Sequence, residues 1–210
     1  MDTANLIWIT PDAEKLIAKI ARVSNPQNED NPNAEKLLKY LIKHKHWSPF
    51  EMASMCVEIK TTRAIAPQIL RHRSFSFQEF SQRYAIPTES FPTVIPDLRR
   101  QDTKNRQNSI DDLPSETTEF MKDRIDQHFR ESVDLYHYML DHKVAKECAR
   151  AVLPLNTCTR LYMSGTIRSW LHYVDLRGDN GTQREHMKIA RSVGEILADE
   201  VPSIARAMWD

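Results

Sequence analysis

Glycine is scarce in this chain, with four residues in 210. None of them builds the Gly-x-Gly-x-x-Gly turn of the dinucleotide-binding folds, so any nucleotide must be held without that loop. Cysteine is rarer still: Cys56, Cys148 and Cys158 form an odd set with no paired metal-ligand spacing. With no secretory leader ahead of them, a reduced cytoplasmic protein is expected. Neither charge sign is in excess. Lys plus Arg and Asp plus Glu each number 29, so no global field attracts a polyanion, and nucleic-acid binding through a broad basic face is disfavoured. No apolar run approaches the roughly twenty residues that span a bilayer, which argues for a soluble chain without a membrane partner. Eight histidines are present, but neither His44 with His46 nor His137 with His142 has further ligands at zinc-type spacing, and no metal is expected.

What the chain does have is a dense polar run from Arg71 to Tyr84, reading RHRSFSFQEFSQRY. Its apolar positions, Phe75, Phe77 and Phe80, read as aromatic spacers between hydrogen-bonding groups rather than as a core pattern. Guanidinium forks bind phosphate bidentately and stay charged at any working pH. Arg71 and Arg73 can serve one anion from one face of an extended segment, and Arg83 a second, which suggests two phosphorylated ligands meeting at one loop. The alternative is a solvated charged turn. Ser76, Gln78, Glu79, Ser81 and Tyr84 weigh against it, because they suit a ring edge and a ribose.

Periodicity predicts a helix over about 11–23 behind Thr10-Pro11 and a loop from Asn25 to Asn33. A second helix should end near His44, and a strand should cover Met52 to Lys60. A short helical segment, Arg63 to Leu70, carries Pro67. The prolines between Ile86 and Pro114 predict a long surface connection. Further helices are expected over Ser115 to about His142, Val144 to Leu153, Thr159 to Tyr173 and Thr182 to about Glu200. Arg168 and His172, four apart, then share one helix face. The length suits one domain, 1–210, helix-rich α+β with a small antiparallel sheet.

The Arg71–Tyr84 run is similar to the signature of the flavin-dependent thymidylate synthases, Arg-His-Arg, a short spacer, then Ser-x-Arg-Tyr. The resemblance extends to His46-Trp47-Ser48-Pro49-Phe50-Glu51, to Arg150-Ala151-Val152-Leu153-Pro154-Leu155-Asn156, and to Arg168-Ser169 and Leu176-Arg177, in the family's order. It implies the thymidylate synthase-complementing fold in a homotetramer with sites at subunit interfaces. The implied reaction is methylation of dUMP to dTMP. 5,10-Methylenetetrahydrofolate gives the carbon, FAD carries the hydride and NADPH reduces the flavin, since no side chain supplies a hydride.

Position by position, the resemblance implies nucleotide contacts at Gln68, Arg71, Glu79, Phe80, Ser81, Gln82, Arg83, Arg150 and Arg177. Backbone amides and Arg83 would hold the phosphate. It implies flavin contacts at Ser48, Arg71, His72, Arg73, Glu79, Thr166, Arg168 and His172, and places His46 near the folate. Arg177 is the implied catalytic group, a cation beside the uracil carbonyls that stabilises charge on the ring. Ser48-Pro49-Phe50-Glu51 also fits a Ser-x-x-Glu capping box, and His172 also fits a helix-surface histidine. Some relatives carry Asn or Ser at Gln78, and Asn at Thr166 and His172. Cys148 and Cys158 lie in apolar patterns read as helical, where cysteine is a small core residue rather than a nucleophile. Two other readings are a catalytically silent nucleotide-binding module of the same fold and an RNA-binding or scaffold protein that stacks bases on its aromatics.

Overall fold

The computed structural model describes residues 2–29 and 31–209. Its strands and helices, in chain order, are β1 (Thr3–Ile9), α1 (Ala13–Ala21), α2 (Glu35–Lys43), β2 (Ser54–Thr62), α3 (Ala66–Ile69), β3 (Ser76–Glu79), α4 (Pro87–Ser90), β4 (Arg100–Gln101), β5 (Ser109–Ile110), α5 (Ser115–Asp141), α6 (Lys146–Ala149), β6 (Cys158–Thr166), α7 (Ile167–Arg177), α8 (Arg184–Glu200) and α9 (Pro202–Trp209). Short 3₁₀ turns occupy Pro26–Asn28, Ser48–Glu51 and Arg150–Val152. The main sheet has the order β1-β2-β6-β3, and β4 pairs antiparallel with β5, Arg100 opposite Ile110. This is the expected helix-rich α+β class. The described residues group into two compact units. One contains Lys60–Ile69 and Glu79–Leu161; the other contains Asp2–Ile59, Leu70–Gln78 and the chain from Tyr162 on.

The second unit is organised around α8. Its buried residues His186, Ile189, Ala190, Val193 and Leu197 recur at helical spacing, and this stripe packs against β1, α7 and α9. α7 begins where the Thr166 hydroxyl accepts a hydrogen bond from the Ser169 amide, satisfying one donor of the first turn. It buries Ile167, Trp170, Leu171 and Tyr173, and the Trp170 indole donates to the Met55 carbonyl at 3.0 Å. In the first unit the long α5 packs against α6 and the Arg150–Val152 turn.

Several elements differ from the sequence expectation for identifiable reasons. Cys158 to Thr166 is a strand, not the first half of a helix: Leu161 and Met163 point inward while Arg160 and Tyr162 are less buried, and Thr166 then caps the real helix. Cys158 is buried on that strand, whereas Cys148 is exposed on α6 rather than in the core. Thr10-Pro11 does not cap a helix. The Thr10 hydroxyl instead accepts from the Ser54 amide at 2.9 Å and donates to the Ser54 carbonyl at 3.2 Å, holding β1 to β2. Asp12, in the left-handed region at φ 49°, precedes α1. The segment expected to be helical over 63–70 tightens to the single turn α3, and that over 144–153 breaks into α6 and a 3₁₀ turn. The 86–114 connection holds α4 and the β4–β5 hairpin, whose turn is organised by Asp102 accepting from the Lys104 amide at 2.8 Å.

Phe75 is also more than a spacer. It is buried, with its ring centroid 4.6 Å from that of Trp170 and 6.0 Å from that of Tyr173. It lies over Gly165, where a Cβ would come within 2.4 Å of the Phe75 ring. Gly165→Ala is therefore expected to destabilise the fold by about 1–3 kcal/mol, as overpacking does. A urea midpoint equal to that of the parent at the same protein concentration would contradict this.

Candidate active site

Three clusters in the second unit contain flavin-implied residues. The first surrounds Trp47–Glu51. The Arg168 guanidinium donates to the Glu51 carboxylate, and the His172 ring meets Trp47 edge-on with centroids 4.7 Å apart. Residues 168 and 172 lie one turn apart on α7, which packs against the Ser48–Glu51 turn. Ser48 is exposed and the turn has no side-chain cap bond, so the capping-box alternative does not hold; Glu51 turns to Arg168 instead. Thr166 spends its hydroxyl on the α7 cap and on Ser169 Oγ at 3.2 Å. His46 lies near this segment in sequence, and its exposed ring is 6.1 Å from those of Tyr40 and His44.

The second cluster is the exposed turn that opens the signature. Arg71 and Arg73 occupy turn backbone rather than an extended segment, which corrects the single-face expectation. Neither guanidinium meets a carboxylate among the described residues. Both remain available to an external anion.

The third cluster joins that turn to the end of α7. Arg177 Nε donates to His72 Nε2 at 3.1 Å, across 105 residues of chain. The His72 ring stands edge-on to Tyr173, centroids 4.9 Å apart, and His186 Nε2 lies 3.1 Å from the Tyr173 hydroxyl. Burial, and then the Arg177 charge, push His72 below the ordinary histidine range. The same causes, with His72 added, bring His186 down to about 4. Burial pushes the Tyr173 phenol upward. Tyr173 and His186 are buried and His72 and Arg177 half-buried, and these shifts favour the neutral form of every group in the set but Arg177.

Nucleotide-implied residues fall mostly in the first unit. Glu79, at the end of β3, accepts at Oε1 from Arg63 Nη1 and from Thr159 Oγ1, each at 3.0 Å. Phe80 donates its amide to the Arg160 carbonyl at 2.9 Å and meets Phe91 edge-on at 4.9 Å. Ser81 Oγ accepts from the Arg83 amide at 3.3 Å, so Ser81 shapes the turn that presents Arg83. The Gln82 side chain is buried, which leaves its backbone as the part able to face a ligand. Arg83 reaches Glu147 at 3.3 Å in an exposed pair; solvent screening makes such a pair weak and easily exchanged for a phosphate. Arg150 is half-buried and without an ionic partner among the described residues, while Gln68 is half-buried on α3. Arg63 and Thr159 were not visible in the sequence as site residues, because both lie outside the signature and meet it at Glu79. Among the described residues, no group of three or more His, Cys, Asp or Glu side chains is placed to hold a metal ion, and no helix is long and apolar enough to cross a membrane.

Residues 5–203 match the family model described as thymidylate synthase complementing protein. The chain is 54% identical over 197 residues to a probable flavin-dependent thymidylate synthase of Paramecium bursaria Chlorella virus 1, covering 93% of this chain and 90% of that protein. It is 52% identical over 195 residues to the flavin-dependent thymidylate synthase of Synechocystis sp., covering 93% and 89%. The crystal structure of a UMP/dUMP methylase from Streptomyces cacaoi, bound with 5-Br dUMP, superposes with a TM-score of 0.84 at 24% identity, over 98% of this chain and 93% of that one. It shares the fold. The chain belongs to the flavin-dependent thymidylate synthase family.

Proposed function

We propose that this chain is a flavin-dependent thymidylate synthase that methylates dUMP reductively to dTMP. 5,10-Methylenetetrahydrofolate is the carbon donor, FAD the hydride carrier and NADPH the reductant. Residues 1–210 act as one functional domain of a cytoplasmic homotetramer whose sites lie at subunit interfaces. The observation that carries this reading, in a member of this family, is the docking of Arg177 on His72. It joins the one implied catalytic cation to the arginine-rich signature.

The residues present fit FAD. Arg71 and Arg73 offer two guanidiniums without ionic partners among the described residues, suited to a pyrophosphate. Arg168 and His172 add a cation and a ring on one helix face, with Ser48 on the turn beside them. Bound FAD supplies the hydride that no side chain can. The chain's own residues bind and orient. Arg83, the backbone amides around Ser81 and Gln82, and Arg150 hold the dUMP phosphate, while Gln68, Glu79 and Phe80 shape the nucleotide wall. Arg63 and Thr159 fix the Glu79 carboxylate. Arg177 places its positive charge where negative charge develops on the uracil ring. No nucleophile is required, and Ser81 and the cysteines have no catalytic part.

A visible spectrum of the purified protein supplied with FAD tests this, before and after dUMP and then with NADPH under anaerobic conditions. A flavin spectrum that dUMP perturbs and NADPH bleaches is expected. A protein that retains no flavin and shows no response overturns the reading.

A further inference from the structure

The hydrogen bond between Arg177 and His72 has a directional consequence. A guanidinium has five N–H donors in a rigid plane. With Nε donating to His72 Nε2, the fork is fixed about its own axis and the terminal nitrogens are left to face a ligand. His72 Nε2 can accept only if the ring is neutral with its proton on Nδ1. Burial of the ring and the neighbouring Arg177 charge both favour that neutral form. The ring is in turn held by packing. It stands edge-on to Tyr173 at 4.9 Å, to Phe75 at 6.4 Å and to His186 at 6.1 Å. Tyr173 is anchored by its hydroxyl, 3.1 Å from His186 Nε2, and His186 is fully buried in the α8 stripe.

We infer that His72 is a positioning residue for Arg177, orienting the guanidinium through Nε, with Tyr173 and His186 fixing the His72 ring behind it. This rests on the thymidylate synthase reading, and it gives the signature histidine a task on the nucleotide side in addition to any flavin contact. Tyr173 and His186, both buried, act through His72. Arg71 and Arg73, exposed on the same turn, have no share in this.

The test uses the full-length protein with FAD supplied and two substitutions. His72→Phe keeps a ring but removes the acceptor, whereas His72→Gln keeps an acceptor on a side chain that can reach. dTMP formation per bound flavin, with kcat and KM for dUMP separated, is measured for both, for Arg177→Ala, and for His72→Phe combined with Arg177→Ala. His72→Phe is expected to lose most of the turnover that Arg177→Ala loses, and the double variant is expected to fall little further. His72→Gln should recover to within about tenfold of the parent, as rescue of one orienting hydrogen bond. Losses that multiply in the double variant overturn the proposal, as does a His72→Phe protein whose turnover per bound flavin is unchanged. Crystal structures of the parent and His72→Phe supply a readout independent of activity. A guanidinium that leaves its parental position in His72→Phe is expected, and one that stays overturns the proposal. If the parent makes no dTMP, the functional reading fails, while the guanidinium position still decides the role of His72.

Discussion

Arg177→Ala is expected to leave a folded protein that still retains FAD, yet to lower dTMP formation by about 10²–10³-fold, the usual cost of removing one preorganised electrostatic donor. The fold should tolerate the change. Arg177 is the last residue of α7 and half-buried, and it makes no ion pair among the described residues. The core of that helix is Ile167, Trp170, Leu171 and Tyr173, all untouched. Flavin retention should survive because Arg71, Arg73, Arg168 and His172 are also untouched. Arg177→Lys is expected to recover only part of the loss. An ammonium restores the charge, but it cannot donate through Nε to His72 while presenting two further donors in one plane. Turnover in Arg177→Ala within a few-fold of the parent, measured per bound flavin, would remove the catalytic assignment.

The sequence made some of this arrangement legible and hid the rest for physical reasons. The signature stood out because its density of donors and acceptors has no packing explanation, and the structure places its ends, Arg71–Arg73 and Arg83, on exposed turns. The helix carrying Arg168 and His172 was legible from spacing, although its start was not. Leu161, Met163 and Ile167 satisfy a strand period and, with Cys158 and Trp170, a helical one, so periodicity alone could not place the switch. The Thr166–Ser169 cap places it. Phe75 looked like a spacer because its partners, Gly165 and Trp170, lie some ninety residues away in sequence. Arg63 escaped notice because it lies outside the signature, on another segment, and its guanidinium meets the signature at Glu79. The pairing of Tyr173 with His186 joins two helices, and a histidine on the apolar stripe of α8 gives no sign in sequence that it is buried against a phenol.

That buried histidine should also set the acid stability of the fold. An unfolded histidine titrates near 6.5, but His186 in the folded chain is held down to about 4 by burial, by the Arg177 charge and by His72. Protonating it would add an N–H to a ring whose Nδ1 already has no hydrogen-bond partner among the described residues. Between about pH 6.5 and 4 the unfolded chain therefore binds a proton that the folded chain refuses. Stability contributed by His186 is fully present above the upper limit and is lost as pH falls through this window, at about 1.4 kcal/mol per pH unit and about 3 kcal/mol in all. His72, also lowered by burial and by Arg177, acts in the same direction. His186→Gln isolates the effect, because an amide does not titrate and can still pair with the Tyr173 hydroxyl. Carboxylates that titrate in the lower half of the window do so in both proteins and cancel in the difference. Urea unfolding of the two proteins at one protein concentration, from pH 7 to 4, should show the parent losing about 3 kcal/mol more than the variant. Parallel curves would mean that His186 takes up its proton equally well in both states, and that burial against Tyr173 and Arg177 does not hold it neutral.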